Sequence, residues 1–203
     1  EMCIRDRICG ITNAKDASLA ISFGANALGF NMYEKSSRYV SQQEVKEILK
    51  ELSDEIIPVM VFVDPSYEYV EDCLKLSTKI IPQFHGSETP EFCSSFNRNF
   101  IKAIPVSKEE DINNGFKKYE DSWMILLDSY TQEGFGGTGK QFDWTYLRGK
   151  DYGKQYLVAG GLNPTNVAEV LSLTSCTGLD VSSGVESVSY THLRAHETDS
   201  YLV

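Results

Sequence analysis

The sequence predicts an α/β fold, a (β/α)8 TIM barrel that is truncated before its last helix. Eight short apolar runs alternate with amphipathic stretches, which is typical of repeated strand–helix units around a parallel sheet. Two of these runs, IIPVMVFV at 56–63 and WMILLD at 123–128, are almost continuously apolar, as strands covered on both faces are. With 203 residues, 41% of them hydrophobic, the chain is expected to form one domain around one large core.

The predicted elements alternate along the chain. Strands are predicted at residues 8–11, 27–32, 56–63, 80–85, 100–106, 123–128, 156–159 and 178–182. Helices are predicted at residues 14–23, 42–52, 67–76, 90–96, 109–119 and 164–173, with a short helical piece at 144–147. A capping box at 41–44 and N-cap residues before proline at 89–90 and 163–164 indicate helix starts, and Gly24 indicates a left-handed stop.

Charge and cysteine content exclude several classes of protein. A net charge of −10 leaves no basic stripe for a phosphate backbone, so no nucleic-acid partner is expected. No apolar run approaches the roughly 20 residues of a membrane helix, so no membrane partner is expected. The cysteines have no CxxC spacing, which predicts reduced thiols and a cytoplasmic location; they are Cys3, Cys9, Cys73, Cys93 and Cys176.

The two ends of the chain are predicted to be foreign to the fold. Residues 2–7 (MCIRDR) are encodable by a DNA segment whose reverse complement encodes VSYTH at 188–192. This inverted repeat resembles the end of a transposon-based sequencing-library adapter, so residues 1–7 and 188–203 are expected to be adapter-derived and 8–187 to be the barrel. The alternative is a disordered tail on an intact protein. A missing last helix would leave apolar surface of the barrel exposed. Each Å2 of such surface would forfeit ~25 cal/mol of stabilisation, which predicts poor folding.

Polar residues at the ends of apolar strands are the first candidates for chemistry, because these barrels bind ligands there. Cys9, His85 and Asp128 end strands one, four and six, and Arg38 lies in the loop after strand two. Each has a structural alternative: a packing cysteine, a structural histidine, a capping aspartate and a solvated arginine. No second histidine or carboxylate is spaced to bind a metal with His85, so no metal is expected.

Two glycine-containing segments follow the last two strands, AGGL at 159–162 and DVSSGV at 180–185. Backbone N–H groups and serine hydroxyls in such loops hold anions, whereas the alternative is ordinary turn chemistry. A third segment, GFGGTG at 134–139, is no Walker A motif and is predicted to be a mobile loop over the site. A phosphate group is therefore expected to bind at these two loops, whose candidate substrate-binding residues are Gly160, Gly161, Asp180, Ser182, Ser183 and Gly184.

Nine strings carry a resemblance to a known family. They are ICGIT (8–12), ALGF (27–30), KSSRYV (35–40), QFHG (83–86), IKAIPV (101–106), LLDSY (126–130), GGTGKQFDW (136–144), AGGLNPTNV (159–167) and DVSSGVES (180–187). In order and spacing they resemble the phosphoribosylanthranilate isomerases, over essentially all of residues 8–187. Phe84, Ser37 and Arg7 depart from the pattern, where leucine, proline and lysine are usual, and Arg7 is expected to be adapter-encoded.

The resemblance implies an intramolecular oxidoreductase-type isomerase of tryptophan biosynthesis. Its reaction would convert N-(5-phosphoribosyl)anthranilate to 1-(2-carboxyphenylamino)-1-deoxyribulose 5-phosphate by an Amadori rearrangement, without a cofactor. Asp128 would protonate the furanose ring oxygen and Cys9 would remove the C2 proton. Arg38 would bind the anthranilate carboxylate, His85 would lie beside the substrate, and the two glycine loops would hold the 5-phosphate. The expected partner is this small phosphosugar, bound by a monomer or a homodimer.

Two alternatives stay open at the level of the sequence. Another sugar-phosphate barrel, such as a ribulose-phosphate epimerase, would require metal-ligating histidines and paired aspartates at strand ends, and the lone His85 argues against it. An inactive fragment, or a non-catalytic phosphate-binding barrel, is the alternative of a different class. The expected loss of the last helix motivates it.

Overall fold

The computed structural model describes residues 6–129, 141–188 and 192–193, and its strands form a closed barrel of eight parallel strands in sequence order. The predicted (β/α)8 architecture is confirmed, since β8 pairs with β1 and closes the sheet. The predicted loop at 134–139 lies outside the described residues. The strands are β1 Asp6–Cys9, β2 Ala27–Asn31, β3 Ile57–Phe62, β4 Ile81–Phe84, β5 Ile101–Val106, β6 Met124–Ser129, β7 Tyr156–Val158 and β8 Gly178–Val181.

Helices connect the strands on the outside of the barrel. They are α1 Ala14–Ser22, α2 Gln42–Glu51, α3 Tyr67–Leu74, α4 Pro90–Ser94, α5 Glu109–Lys118, a 3-10 turn Trp144–Leu147, and α6 Val167–Leu173. The predicted capping box is confirmed, because the side chains of Ser41 and Glu44 each accept a hydrogen bond from the other residue's backbone N–H. Gly24 follows α1 with φ +95°, as predicted for a left-handed stop.

Several predicted boundaries differ from the structure by one to three residues, and two of these differences have a clear local cause. Strand β1 was expected at 8–11 but ends at Cys9, because Gly10 (φ +94°) bends the chain so that two successive N–H groups reach the Gly29 carbonyl. Helix α6 was expected to begin at residue 164 but begins at Val167. Residues 164–166 form a turn instead, held by the Asn163 side chain, which accepts the Thr165 N–H.

Two apolar layers hold the barrel together. One lies between the strands and the helices, and it includes Phe30, Phe62 and Phe84. The other fills the barrel interior and consists of Ala27, Ile57, Val59, Ile81, Ile101, Ala103, Met124, Leu126, Leu157 and Ala159. Because strand side chains alternate between the two layers, a residue two positions beyond an interior residue also points inward. This alternation directs the polar residues at the strand ends into one space.

The segment after β8 is short in the described part of the chain. A 3-10 turn Ser183–Val185 leads into β9 Glu186–Val188, which pairs antiparallel with β10 His192–Leu193. Asp6 and Arg7 belong to β1, so the barrel strand starts before the expected boundary at residue 8. The boundary at residue 8 was predicted from the DNA that could encode residues 2–7, and it stays a prediction. Within the described ranges, no helix combines the length and the apolar character needed to cross a bilayer.

Candidate active site

A cavity of about 480 Å3 opens at the carboxyl ends of the strands. Cys9 and Asp128 both line it, although β7 and β8 separate their strands in the barrel. Of the predicted site residues, only Gly184 does not line the cavity. The others are Cys9, Arg38, His85, Asp128, Gly160, Gly161, Asp180, Ser182 and Ser183. The sheet therefore brings together side chains that are far apart in the sequence.

The Cys9 thiol lies in surroundings that disfavour its thiolate form. Burial raises its pKa to about 12, and the negative charge of Asp180 acts in the same direction. The guanidinium groups of Arg7 and Arg38 oppose this shift and lower the pKa. A base role for Cys9 therefore requires a change in its surroundings when substrate binds.

Asp128 is held by two hydrogen-bond donors. Its Oδ1 accepts the backbone N–H of Ser129 at 2.8 Å, and its Oδ2 lies 3.2 Å from Nε2 of His85. The side chain is buried, with the residue 8% exposed. Both carboxyl oxygens of Asp128 are therefore held in position.

A buried arginine that was set aside as adapter-encoded connects three strands inside the barrel. Arg7 is fully buried; its Nε donates to Asp180 Oδ1 at 2.7 Å and its Nη1 to Gln83 Oε1 at 2.5 Å. Gln83 lies in turn 3.2 Å from Nδ1 of His85. Asp180, predicted as part of the phosphate segment, therefore lines the cavity with its charge compensated by Arg7.

Arg38 reaches the cavity in a fixed position. Its Nε and Nη2 donate to the two carboxylate oxygens of Glu186, at 2.7 and 3.0 Å, in the bidentate geometry that guanidinium and carboxylate prefer. Its stem passes over Gly10, where an added Cβ would lie 2.5 Å from Cδ of Arg38. Glu186 was not predicted as a site residue, although it stands in the string DVSSGVES.

The two glycine loops after β7 and β8 pack against each other. An added Cβ at Gly184 would lie 1.9 Å from the carbonyl oxygen of Leu162, so only glycine fits there. Gly184 therefore shapes the site from outside the cavity. Three amide side chains donate to the Gly161 carbonyl and fix the first loop, namely Gln141, Asn163 and Asn166.

The alternation of side chains along a strand is the sequence signal that could have identified Arg7 and Gln83 as residues of the barrel interior. Arg7 precedes Cys9 by two positions, and Gln83 precedes His85 by two, so each shares the inward phase of its neighbour. Within the ranges that the structure describes, no group of three or more His, Cys, Asp or Glu residues is arranged to hold a metal ion.

A closed (β/α)8 barrel with a cysteine, an aspartate, an arginine and two glycine-containing loops at the carboxyl ends of its strands has the architecture of the phosphate-binding barrel enzymes. The family model of N-(5'phosphoribosyl)anthranilate (PRA) isomerase matches residues 6–189. The chain belongs to this family of enzymes.

Individual relatives agree with the family match. The N-(5'-phosphoribosyl)anthranilate isomerase of Neisseria meningitidis serogroup C is 41% identical over 185 residues, which cover 91% of this chain and 88% of the relative. The crystal structure of the phosphoribosyl anthranilate isomerase from Thermotoga maritima matches with TM-score 0.88 and 36% identity, over 97% of this chain and 95% of that one. A structure of such an enzyme in complex with reduced 1-(o-carboxyphenylamino)-1-deoxyribulose 5-phosphate matches with TM-score 0.81 and 31% identity, over 98% and 96%.

Proposed function

We propose that this chain converts N-(5'-phosphoribosyl)anthranilate to 1-(2-carboxyphenylamino)-1-deoxyribulose 5-phosphate in tryptophan biosynthesis. The observation that carries the proposal is that Cys9 and Asp128 line one cavity together with Arg38 and both glycine loops. A sugar ring placed between Cys9 and Asp128 would have a base on one side and an acid on the other. The cavity volume of about 480 Å3 suits a small phosphosugar.

The two charged ends of the substrate have separate partners in this arrangement. The 5-phosphate binds at the loops of Gly160, Gly161, Ser182 and Ser183, where N–H and O–H donors are available. The anthranilate carboxylate binds at the guanidinium of Arg38, which lines the cavity and is held in place by two hydrogen bonds to Glu186. Anchoring both ends uses binding energy remote from the reacting atoms to hold the sugar in place.

The reaction needs a thiolate at Cys9 and a carboxylic acid at Asp128, whereas burial raises the pKa of the Cys9 thiol to about 12. In this proposal one proton passes from Cys9 to Asp128 as substrate binds, so the number of protons in the site stays the same. Arg7 and Arg38 favour the thiolate because both lower the pKa of Cys9. The loop of Gly160, where the 5-phosphate binds in this proposal, adjoins the carboxyl group of Asp128.

Protonation of the ring oxygen by Asp128 opens the furanose to an iminium. Removal of the C2 proton by Cys9 then gives an enolamine, which tautomerises to the aminoketose. The proton count is conserved, because Asp128 gives up one proton and Cys9 takes one. Both groups are side chains of the protein, so the mechanism asks for no cofactor.

The test is the loss of phosphoribosylanthranilate fluorescence when the purified chain is added. The expected result is a first-order decay in proportion to protein concentration, and its absence would contradict the proposal. A Cys9→Ala, Asp128→Asn double variant, purified in the same way, is the control for contaminating host enzyme. Decay that persists in this control would come from the contaminant.

A non-catalytic phosphate-binding barrel, or an inactive fragment, is the second candidate. The observations in its favour are the raised pKa of the buried Cys9 thiol and the bidentate pairing of Arg38 with Glu186. A rise in melting temperature with a phosphorylated product analogue, without turnover, would support the binder. The lack of a cooperative melt would support the inactive fragment.

The proposal also covers the oligomeric state of the chain, its location in the cell and the origin of its two ends. We propose a monomer or a homodimer in the cytoplasm, with the cysteines reduced; in the described part of the chain Cys9, Cys73, Cys93 and Cys176 are free thiols. We also propose that residues 1–7 and 188–203 are adapter-derived. Sequencing the source DNA across both junctions tests this, and an uninterrupted genomic reading frame would contradict it.

A further inference from the structure

A chain of five polar side chains crosses the barrel interior from β6 to β8. It runs from Asp128 to His85, Gln83, Arg7 and Asp180, and each contact is between 2.5 and 3.2 Å. The roles of Gln83 and Arg7 in it are not explained by binding substrate. The donor and acceptor capacity of each group determines how the whole chain is protonated.

Arg7 fixes which end of the Gln83 amide faces which neighbour. Its Nη1 lies 2.5 Å from Oε1 of Gln83, and both side chains are buried. A guanidinium nitrogen only donates, so the atom that faces it has to be the amide oxygen. The opposite orientation would place two donors against each other in a dry interior. Gln83 therefore turns its NH2 group toward His85.

The orientation of Gln83 in turn fixes the proton on His85. Nε2 of Gln83 lies 3.2 Å from Nδ1 of His85 and only donates, so Nδ1 has to accept with its lone pair. A neutral imidazole without a proton on Nδ1 carries its proton on Nε2. That nitrogen lies 3.2 Å from Oδ2 of Asp128, which accepts.

We infer that Gln83 sets the tautomer of His85 and thereby keeps His85 a neutral hydrogen-bond donor to Asp128. An imidazolium would carry a proton on Nδ1, so that its N–H and the Gln83 NH2 group would face each other as two donors. The amide cannot rotate to relieve this, because Arg7 holds its oxygen. Gln83 is a positioning residue, since it acts on Asp128 through His85. The inference rests on the proposed function, in which Asp128 is the acid.

The functional reason is competition for one proton. An ordinary imidazole is a stronger base than an ordinary carboxylate by roughly 2 to 3 pKa units. The proton that leaves Sγ of Cys9 would therefore be taken by an unrestrained histidine in preference to the carboxylate of Asp128. With Nε2 already protonated and Nδ1 facing a donor, His85 has no site for it. The proton goes to Asp128, and the charge of the site is unchanged.

Nitrogen-15 spectra of the histidine ring test the inference without any change at the site. Replacing His192 and His196 by glutamine leaves His85 as the remaining histidine, so its two ring nitrogens are assigned directly. At neutral pH we expect an unprotonated Nδ1 and a protonated Nε2. A protonated Nδ1, in either the neutral or the doubly protonated ring, would overturn the inference.

A pair of variants links the tautomer to turnover. Gln83→Glu has the same shape but offers an acceptor to Nδ1, so we expect Nδ1 to become protonated and kcat to fall about tenfold, with KM within about twofold. Gln83→Met removes the donor without adding an acceptor, and it is the control for lost packing. A protonated Nδ1 with unchanged kcat would overturn the role assigned to Gln83. Wild-type protein with the expected tautomer and no turnover would instead contradict the proposed function.

Discussion

Arg38 and Glu186 lie 148 positions apart, yet their side chains form two hydrogen bonds, of 2.7 and 3.0 Å, at the edge of the cavity. The pair joins the loop after β2 to the segment after β8. Both side chains are largely buried, so the pair is only weakly screened by solvent. In the proposed function, Glu186 thus determines which edge of the Arg38 guanidinium faces the substrate.

Removing Glu186 is expected to weaken substrate binding more than it slows the chemistry. Glu186→Ala removes both of these hydrogen bonds to Arg38, and losing a charged hydrogen-bond pair of ~1.5–3 kcal/mol predicts a rise in KM of about tenfold or more. Steady-state kinetics measures the split between KM and kcat. Glu169→Gln, on the exposed face of α6, is the matched control. An unchanged KM with a collapsed kcat would contradict the positioning role.

The pH dependence of stability is expected to carry a contribution from Cys9. Its pKa is raised to about 12 in the folded chain from an ordinary value of 9.0, so this contribution is complete below pH 9 and is lost as pH rises toward 12. Raising the pH from neutral to 10 should therefore lower the free energy of unfolding of the unsubstituted chain. The decrease should be about 1 kcal/mol smaller in Cys9→Ala, which has no thiol at this position. Urea unfolding at both pH values measures the difference. Equal losses in the two proteins would contradict the buried thiol.

Replacing one member of the buried ion pair of Arg7 and Asp180 is expected to lower the free energy of unfolding strongly. Arg7→Met leaves the Asp180 carboxylate without its partner inside the barrel, which predicts a loss of about 3–5 kcal/mol. The double variant Arg7→Met, Asp180→Asn should recover part of this loss, because it removes the unpaired charge as well. Urea denaturation measures both. A single variant within about 1 kcal/mol of the unsubstituted chain would show that Arg7 is not needed there.

Gly184 is expected to be required for phosphate binding although it does not line the cavity. Gly184→Ala places a Cβ 1.9 Å from the Leu162 carbonyl, so the loops after β7 and β8 must separate. We expect the Kd for the phosphorylated product to rise about tenfold or more in calorimetry. Gly153→Ala is the control, because Gly153 has a positive φ with no atom within 4 Å of an added Cβ. Equal effects of the two substitutions would point to general strain.

Much of the barrel follows from sequence because its cause is local. Each apolar run is long enough for one strand, and the helix starts are fixed by residues three or four positions apart, as at Ser41 and Glu44. The predicted start of α6 was wrong because the side chain of Asn163 accepts the backbone N–H of Thr165 and holds the following residues in a turn. Gly10 ended β1 early for an equally local reason, its positive φ.

The site was predictable only in part, because its contacts are made across the barrel. Cys9, Asp128 and Arg38 are recognisable from strand ends and from the family strings. The partners that set their charge are not, since Arg7 meets Asp180 and Arg38 meets Glu186 at separations of 173 and 148 residues. Spacing along the sequence carries no information about such pairs. Only strand alternation, applied to Arg7 and Gln83, marks residues that point into the same interior.

The most direct test of the account is the turnover of Cys9→Ala and Asp128→Asn, measured together with their affinity for the product. If one is the base and the other the acid, each substitution should lower kcat by about 10²–10⁴-fold and leave the product Kd within about threefold, since the phosphate loops and Arg38 stay in place. Full turnover in either variant would show that the two side chains share a cavity without sharing the reaction.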